Sequence, residues 1–197
     1  NCMAGTRLYV HEKIHDQVVE GVAGIARTMQ LGHGLDPASQ FGPLISAGQR
    51  ERVRGYVDAG KREGGELVCG GDAPARPGYF FEPTVFARMR ADMTPVKSEI
   101  FGPVLCVQSF DDADLDRVAA EANSTIYGLS GSVWTRDIGL AMQMVRRIDA
   151  GQVSVNMHAA LDPAMPFGGN KQSGWGREFG KEGLEPYLKT KGVSVAW

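Results

Sequence analysis

Short apolar runs typical of β-strands alternate with amphipathic stretches of helical length along most of this chain. Neighbouring parallel strands must be joined by a crossover, usually a helix, whereas antiparallel strands can be joined by a short turn. The alternation therefore predicts an α/β fold, with a largely parallel sheet flanked by helices. The predicted strands cover residues 8–10, 66–69, 104–110, 129–134 and 152–156, and the predicted helices cover residues 14–29, 46–61 and 137–148, with a fourth running from a cap at Asp111-Asp112 to about residue 122.

The alternation stops at residues 157–180, where two prolines and five glycines interrupt any regular pattern. A stretch of this length without regular structure usually serves a function. A short helix is predicted near residues 181–188, and residues 193–197 are predicted to form a closing strand. Because bare strand edges promote association, we expect this strand to pair within a missing part of the chain or across a subunit boundary.

Charge and hydropathy argue against two classes of partner. The 21 basic and 23 acidic residues are mixed along the chain and leave a net charge of −2, so no nucleic-acid footprint is predicted. No apolar run approaches the roughly 18 residues that span a bilayer, so no membrane partner is expected. Three cysteines without a C-x-x-C pair favour a reducing, cytoplasmic compartment. Of these, Cys69 and Cys106 lie in strand-like runs and are predicted core thiols.

Three patterns resemble catalytic signatures, and each has a structural alternative. The sequence His11–His15 matches H-E-x-x-H, but His11 follows a predicted strand, so a strand-to-helix junction is favoured and no metal site is predicted. The glycine-rich segment 174–180 lies too far from a preceding strand to cradle a phosphate, which favours a structural loop. Cys2 and His158 could form a protease-type pair, although no local protease signature surrounds Cys2.

Glu99 and Phe101 lie in a tight turn before the predicted strand 104–110. Taken by itself, this pair fits a loop acid and a core phenylalanine as well as it fits a binding site.

Four segments occur in a fixed order: Cys-x-Ala-Gly-Thr-Arg at 2–7, Glu-Ile-Phe-Gly-Pro-Val at 99–104, Tyr-Gly-Leu at 127–129 and Pro-Phe-Gly-Gly-x-Lys-x-Ser-Gly at 166–174. Together they resemble the C-terminal part of the aldehyde dehydrogenase superfamily. The resemblance covers essentially the whole chain, which is less than half of a family chain. It implies that residues 1–188 form the cysteine-bearing catalytic domain, that residues 189–197 form an oligomerisation strand, and that the cofactor-binding domain is absent from this sequence.

The resemblance also implies roles for single residues. Cys2 matches the catalytic cysteine, whose thiolate attacks the aldehyde carbonyl and whose backbone N–H is a donor to the oxyanion. The thiohemiacetal passes hydride to NAD or NADP, and water hydrolyses the resulting thioester. Glu99 matches the acid that binds the nicotinamide ribose, and Phe101 matches the ring packed against that end of the cofactor.

An apolar substrate pocket is implied by the same resemblance, because excluding water protects the thioester. Met3 beside the nucleophile, His158 and Leu161 on the long loop, and Phe167 match its wall. The stretch at 156–163 looks most like that of phenylacetaldehyde dehydrogenases.

The implied function is oxidation of a small-molecule aldehyde to a carboxylate by a homodimer or homotetramer, with an arylacetaldehyde as the candidate substrate. The general base and a second oxyanion donor would lie outside this chain, so we expect the fragment to be nearly inactive alone. Two alternatives stay open: a CoA-acylating member of the family, and a non-catalytic oligomerisation module.

Overall fold

Helices cover both faces of a four-stranded sheet in the first part of the chain. The computed structural model describes residues 1–111 and 115–197, and the chain divides into two compact units, residues 1–125 and 126–197. In the first unit the elements are β1 (Arg7–His11), α1 (His15–Thr28), α2 (Ala47–Arg62), β2 (Glu66–Cys69), β3 (Thr84–Ala87), α3 (Thr94–Lys97), β4 (Val104–Phe110) and α4 (Leu115–Ala122).

The sheet of the first unit has the order β1-β4-β3-β2. β4 lies parallel to both β1 and β3, with Arg7 beside Cys106 and Thr84 beside Val104, while β2 lies antiparallel to β3. The predicted α/β fold with a mostly parallel sheet flanked by helices is therefore confirmed.

Alternating side chains of β4 serve two cores. Val104 and Cys106 pack with Val53 and Val57 of α2 on one face, whereas Val107 packs with Val19 of α1 on the other. Burial on both faces explains why residues 104–107 of β4 are consecutively apolar rather than alternating with polar residues.

The second unit contains a β-α-β unit followed by the long irregular segment. Its elements are β5 (Tyr127–Gly128), β6 (Ser130–Val133), α5 (Ile138–Arg147), β7 (Gln152–Val155), β8 (Asn170–Lys171) and a 3₁₀ helix (Glu182–Tyr187). β6 and β7 are parallel and are connected through α5, whereas β5 pairs antiparallel with β8. Asp137 caps α5, because its Oδ1 accepts from Leu140 N at 3.1 Å.

The structure corrects several predicted boundaries. The sequence patterns do not predict β3, α3, β5 or β8, and the strand predicted at 129–134 is observed as β6, one residue shorter at each end. The predicted cap of α4 falls partly on Asp112, which lies outside the described residues.

Residues 188–197 form no regular secondary structure and pair with no strand in the described part of this chain. Pairing of the predicted closing strand across a subunit boundary is not tested by a single chain and stays a prediction. None of the helices in the two described ranges combines the length and apolar character needed to cross a bilayer.

Candidate active site

Cys2 lies in a turn that leads into β1. Ala4 N donates to Asn1 O at 3.2 Å, and Met3 N donates to Asn1 Oδ1 at 2.9 Å. Met3 is buried, whereas Cys2 is an exposed free thiol. Among the described residues, the Cys2 N–H has no hydrogen-bond acceptor. Both the thiol and the amide of Cys2 are therefore open to a ligand.

The sheet topology brings a second predicted segment to the same edge as Cys2. β1 and β4 are parallel neighbours, so the residues that precede each strand emerge at one edge of the sheet. Thr6 O accepts from Cys106 N at 2.9 Å, which continues this pairing one residue before β1. Residues 2–6 and 99–103 consequently lie at a common edge.

The turn before β4 presents two side chains and buries a third. Ile100 is 2% exposed and anchors the turn, whereas Glu99 is exposed and the Phe101 side chain is 52% exposed. Phe101 has a φ of 55°, a left-handed conformation that costs a residue with a Cβ about 1–2 kcal/mol. Strain of this kind persists where surrounding contacts impose it, and it is concentrated at functional sites.

Helix α2 holds this turn through groups that sequence reasoning had not singled out. Gln49 Nε2 donates to Ile100 O at 3.0 Å and to Phe101 O at 3.1 Å, and Arg52 Nη2 donates to Glu99 O at 3.3 Å. A Cβ on Gly102 would lie 2.4 Å from Val53, so glycine allows the turn to approach the helix. The available sequence signal was the spacing of positions 49, 52 and 53, which share one helical face.

The Glu99 carboxylate forms no hydrogen bond or ion pair within residues 1–111 and 115–197. An exposed carboxylate without a protein partner can accept hydrogen bonds from ligand hydroxyl groups.

In the second unit, the carboxyl ends of β6 and β7 are joined by an amide side chain. Asn156 Oδ1 accepts from Thr135 N, and Asn156 Nδ2 donates to Thr135 O, each at 2.9 Å. Asn156 itself has a φ of 54°, a conformation that asparagine tolerates better than most residues. This pair of hydrogen bonds between Asn156 and Thr135 fixes the start of the long loop.

His158 lies two residues further along, with its ring oriented by neighbouring polar groups. Trp134 Nε1 donates to Ser132 Oγ at 3.2 Å, and the same hydroxyl oxygen forms a hydrogen bond of 3.1 Å with His158 Nδ1. Leu161 follows with 47% of its surface exposed.

Phe167 is held by backbone pairing within the loop. Phe167 and Glu178 exchange two backbone hydrogen bonds of 2.7 Å, and Arg177 Nη1 donates to Gly169 O at 2.9 Å. A Cβ on Gly168 would lie 2.6 Å from Gly176 O, so the Pro-Phe-Gly-Gly sequence requires glycine for a close backbone approach.

The seven predicted site residues are divided between the two units. Cys2, Met3, Glu99 and Phe101 belong to segments at one sheet edge of the first unit, whereas His158, Leu161 and Phe167 lie on the long loop of the second. A pocket that combines both sets remains a prediction.

The H-E-x-x-H sequence is a strand-to-helix junction, as predicted. His11 ends β1 and accepts from Lys13 N at 3.1 Å, while the buried His15 begins α1 and contacts Asp16 Oδ1 at 2.9 Å. Within the described ranges, no three His, Cys, Asp or Glu side chains are grouped so that they could hold a metal ion.

Two open cavities lie at the opposite edge of the sheet from Cys2. They measure about 340 and 470 Å³ and share His15, Asp16 and Arg88 in their linings. Neither is lined by a predicted site residue, so the predicted chemistry does not depend on them.

The family model described as "Aldehyde dehydrogenase family" matches residues 1–193 of the chain. The chain belongs to the aldehyde dehydrogenase family. The mitochondrial 10-formyltetrahydrofolate dehydrogenase of Homo sapiens is 43% identical over 197 residues, which are 100% of this chain and 21% of that protein. The phenylacetaldehyde dehydrogenase of Pseudomonas fluorescens is 40% identical over 198 residues, which are 100% of this chain and 39% of that protein.

Solved structures agree with the fold. The NAD⁺ complex of an aldehyde dehydrogenase from Bacillus cereus superposes with a TM-score of 0.94 at 42% identity, covering 99% of this chain and 39% of that one. The chain therefore spans between about a fifth and two fifths of the length of these relatives.

Proposed function

We propose that this chain is the cysteine-bearing portion of an NAD- or NADP-dependent enzyme that oxidises an aldehyde to a carboxylate. The observation that carries the proposal is the parallel pairing of β1 with β4, which brings the exposed Cys2 thiol to the same sheet edge as Glu99 and Phe101. Relatives named as aldehyde dehydrogenases, one of them bound to NAD⁺, support the same reading. Their greater length supports a longer parent enzyme.

The chemistry begins at Cys2. Its thiolate adds to the aldehyde carbon and forms a C–S bond, while the Cys2 N–H donates to the carbonyl oxygen as it becomes an oxyanion. An unactivated thiol is only a few per cent thiolate at neutral pH, so a base must remove its proton. We assign that base, and a second oxyanion donor, to the longer polypeptide.

The residues of the first unit fit the nicotinamide end of a dinucleotide. The Glu99 carboxylate is exposed and can accept from ribose hydroxyls, and the Phe101 ring offers an apolar surface beside it. When bound, NAD⁺ or NADP⁺ supplies the hydride acceptor. Loss of hydride from the Cys2 adduct leaves a thioester, and attack by water releases the carboxylate and restores the thiol.

The proposal assigns aldehyde-binding roles to Met3 in the first unit and to His158, Leu161 and Phe167 on the long loop of the second. The loop at 156–163 makes arylacetaldehydes the first substrates to test, and the relative named for phenylacetaldehyde is 40% identical. The relative named for 10-formyltetrahydrofolate is 43% identical, so identity alone does not choose between them. Assembly as a homodimer or homotetramer and a cytoplasmic location complete the proposal.

Replacing Cys2 tests the mechanism directly. In the full-length enzyme, Cys2→Ala removes the nucleophile and is expected to lower kcat about 10³-fold or more, measured as NADH formation from phenylacetaldehyde. The affinity for NAD⁺, measured by calorimetry, should be preserved. Cys69→Ala is the matched control and should keep near wild-type turnover.

Turnover that survives in Cys2→Ala would contradict the mechanism. Wild-type enzyme that reduces no NAD⁺ or NADP⁺ with a panel of aldehydes would favour the non-catalytic module, and formation of acyl-CoA rather than carboxylate when CoA is added would favour the CoA-acylating alternative. The 197-residue chain alone is expected to be nearly inactive, and robust turnover by it would refute the assignment of the base to the longer polypeptide.

A further inference from the structure

We propose that Gln49 is a positioning residue that sets the conformation of the turn carrying Glu99 and Phe101. This inference rests on the proposed function, because it assigns a purpose to the strained turn in cofactor binding. Gln49 lies in the first turn of α2, half-buried, and its side-chain amide points at the turn rather than into solvent.

The two carbonyls that Gln49 binds are those on either side of the Phe101 Cα. Ile100 O belongs to the peptide plane before Phe101, and Phe101 O belongs to the plane after it. The relative orientation of these two planes is what φ and ψ of Phe101 describe. One amide nitrogen that donates to both oxygens, at 3.0 and 3.1 Å, therefore holds Phe101 in its left-handed conformation.

Gln49 is itself held at the start of α2, and a second residue of the same helix binds the turn beside it. Its backbone N–H donates to Ser46 Oγ at 3.1 Å, which is the N-cap contact of α2. One turn further along the helix, Arg52 binds Glu99 O, so three consecutive carbonyls are held by donors from one helical face. These three hydrogen bonds from Gln49 and Arg52 form a clamp on the turn. The clamp therefore orients the Glu99 carboxylate and the Phe101 ring together.

The chemistry of the clamp requires a donor at position 49. Two carbonyl oxygens face the side chain, so an amide N–H₂ group fits and a carboxylate does not. Glutamate has nearly the same shape as glutamine but would place negative oxygens against both carbonyls. Lysine would restore donors on a flexible stem, whereas alanine would leave both carbonyls without this partner.

The test uses the full-length enzyme and four variants: Gln49→Ala, Gln49→Glu, Gln49→Lys and the control Gln17→Ala. Gln17 is exposed in the first turn of α1, far in sequence from the clamp. Gln49→Ala is expected to raise the Kd and the KM for NAD⁺ about tenfold, with a smaller fall in kcat at saturating NAD⁺. Gln49→Glu should be worse than alanine, and Gln49→Lys should recover at least part of the loss.

Stability provides a readout that separates positioning from a general structural role. Losing the two hydrogen bonds also releases the strain at Phe101, so the Tm of Gln49→Ala should stay within about two degrees of wild type. Amide hydrogen exchange of residues 98–104 should nevertheless become about tenfold faster than in Gln17→Ala, because the turn is no longer held.

Each result decides the question. Unchanged NAD⁺ affinity and unchanged exchange in Gln49→Ala would overturn the inference, and so would alanine, glutamate and lysine variants that behave alike. If wild-type enzyme neither binds NAD⁺ nor oxidises aldehydes, the proposed function fails, and the exchange measurement alone then decides whether Gln49 sets the turn.

Discussion

The three cysteines of this chain occupy three different environments. Cys2 is exposed, Cys69 is half-buried, and Cys106 is 1% exposed at the centre of the sheet. Burial raises the pKa of the Cys69 thiol and, far more, raises the pKa of the Cys106 thiol to about 12. The predicted core position of Cys106 is confirmed, and burial keeps its sulfur protonated at neutral pH.

The raised pKa of Cys106 predicts a loss of stability in alkaline solution. An unfolded thiol titrates near its ordinary value of 9.0, whereas the folded Cys106 keeps its proton until about pH 12. The contribution of Cys106 to the free energy of unfolding is therefore complete below pH 9. It is lost as the pH rises from 9 towards 12, at a rate that approaches about 1.4 kcal/mol for each pH unit.

Urea unfolding of wild type and Cys106→Ala between pH 8 and about 11 measures this effect. The variant should be less stable at pH 8 but should lose stability more slowly with rising pH, because all other titrating groups are shared. Parallel pH profiles for the two proteins would contradict the prediction.

Among the elements, helix α2 both packs into the core and holds the turn before β4. Val53 and Val57 on its inner face are fully buried against the sheet, and Gln49 and Arg52 hold the turn before β4. Ser46 starts the helix by accepting from Gln49 N. Packing that stabilises the core thus also sets the position of the turn.

Ser46→Ala tests this double role at the level of the element. Loss of the N-cap should lower the free energy of unfolding by about 1 kcal/mol. In the full-length enzyme it should also raise the KM for NAD⁺, as Gln49→Ala is expected to do. Asp137→Ala removes the equivalent cap of α5 and is the matched control. Asp137→Ala should lower the free energy of unfolding by a similar amount and leave the KM for NAD⁺ unchanged. Equal changes in KM for both variants would refute the role of α2 in positioning the turn.

At the scale of the whole molecule, the last ten residues pair with no β-strand in the described part of the chain. Every second residue near the end is apolar and exposed, namely Val193, Val195 and Trp197, at 77%, 70% and 112%. A segment with one apolar face and unpaired backbone groups is suited to add as a strand to another sheet.

Removing residues 189–197 is therefore expected to convert the assembled full-length enzyme to a species of about half its mass or less, measured by sedimentation velocity. Lys191→Ala, in the same segment but without an apolar side chain to bury, is the control and should leave the mass unchanged. Truncated enzyme that keeps the wild-type mass would show that assembly uses another surface.

Local patterns predicted much of the fold because they record burial along a single element. Glu66–Cys69 and Val104–Phe110 were predicted with their observed bounds, since flanking glycines and aspartates mark where each apolar run stops. β3 was missed because its four residues are all buried and show neither an alternation nor the longer apolar run that marks β4. Only its neighbours β2 and β4 make that segment a strand.

By itself, the sequence determined the alternation of strands and helices, the family, and the identity of Cys2 and Glu99 as residues to examine, because each depends on side chains close together along the chain. Only the tertiary structure decided that residues 2–6 and 99–103 share one sheet edge, that Phe101 is left-handed, and that Gln49 holds it. Those features arise from hydrogen bonds between groups about fifty or a hundred residues apart, and such pairings leave no periodic trace in either partner segment.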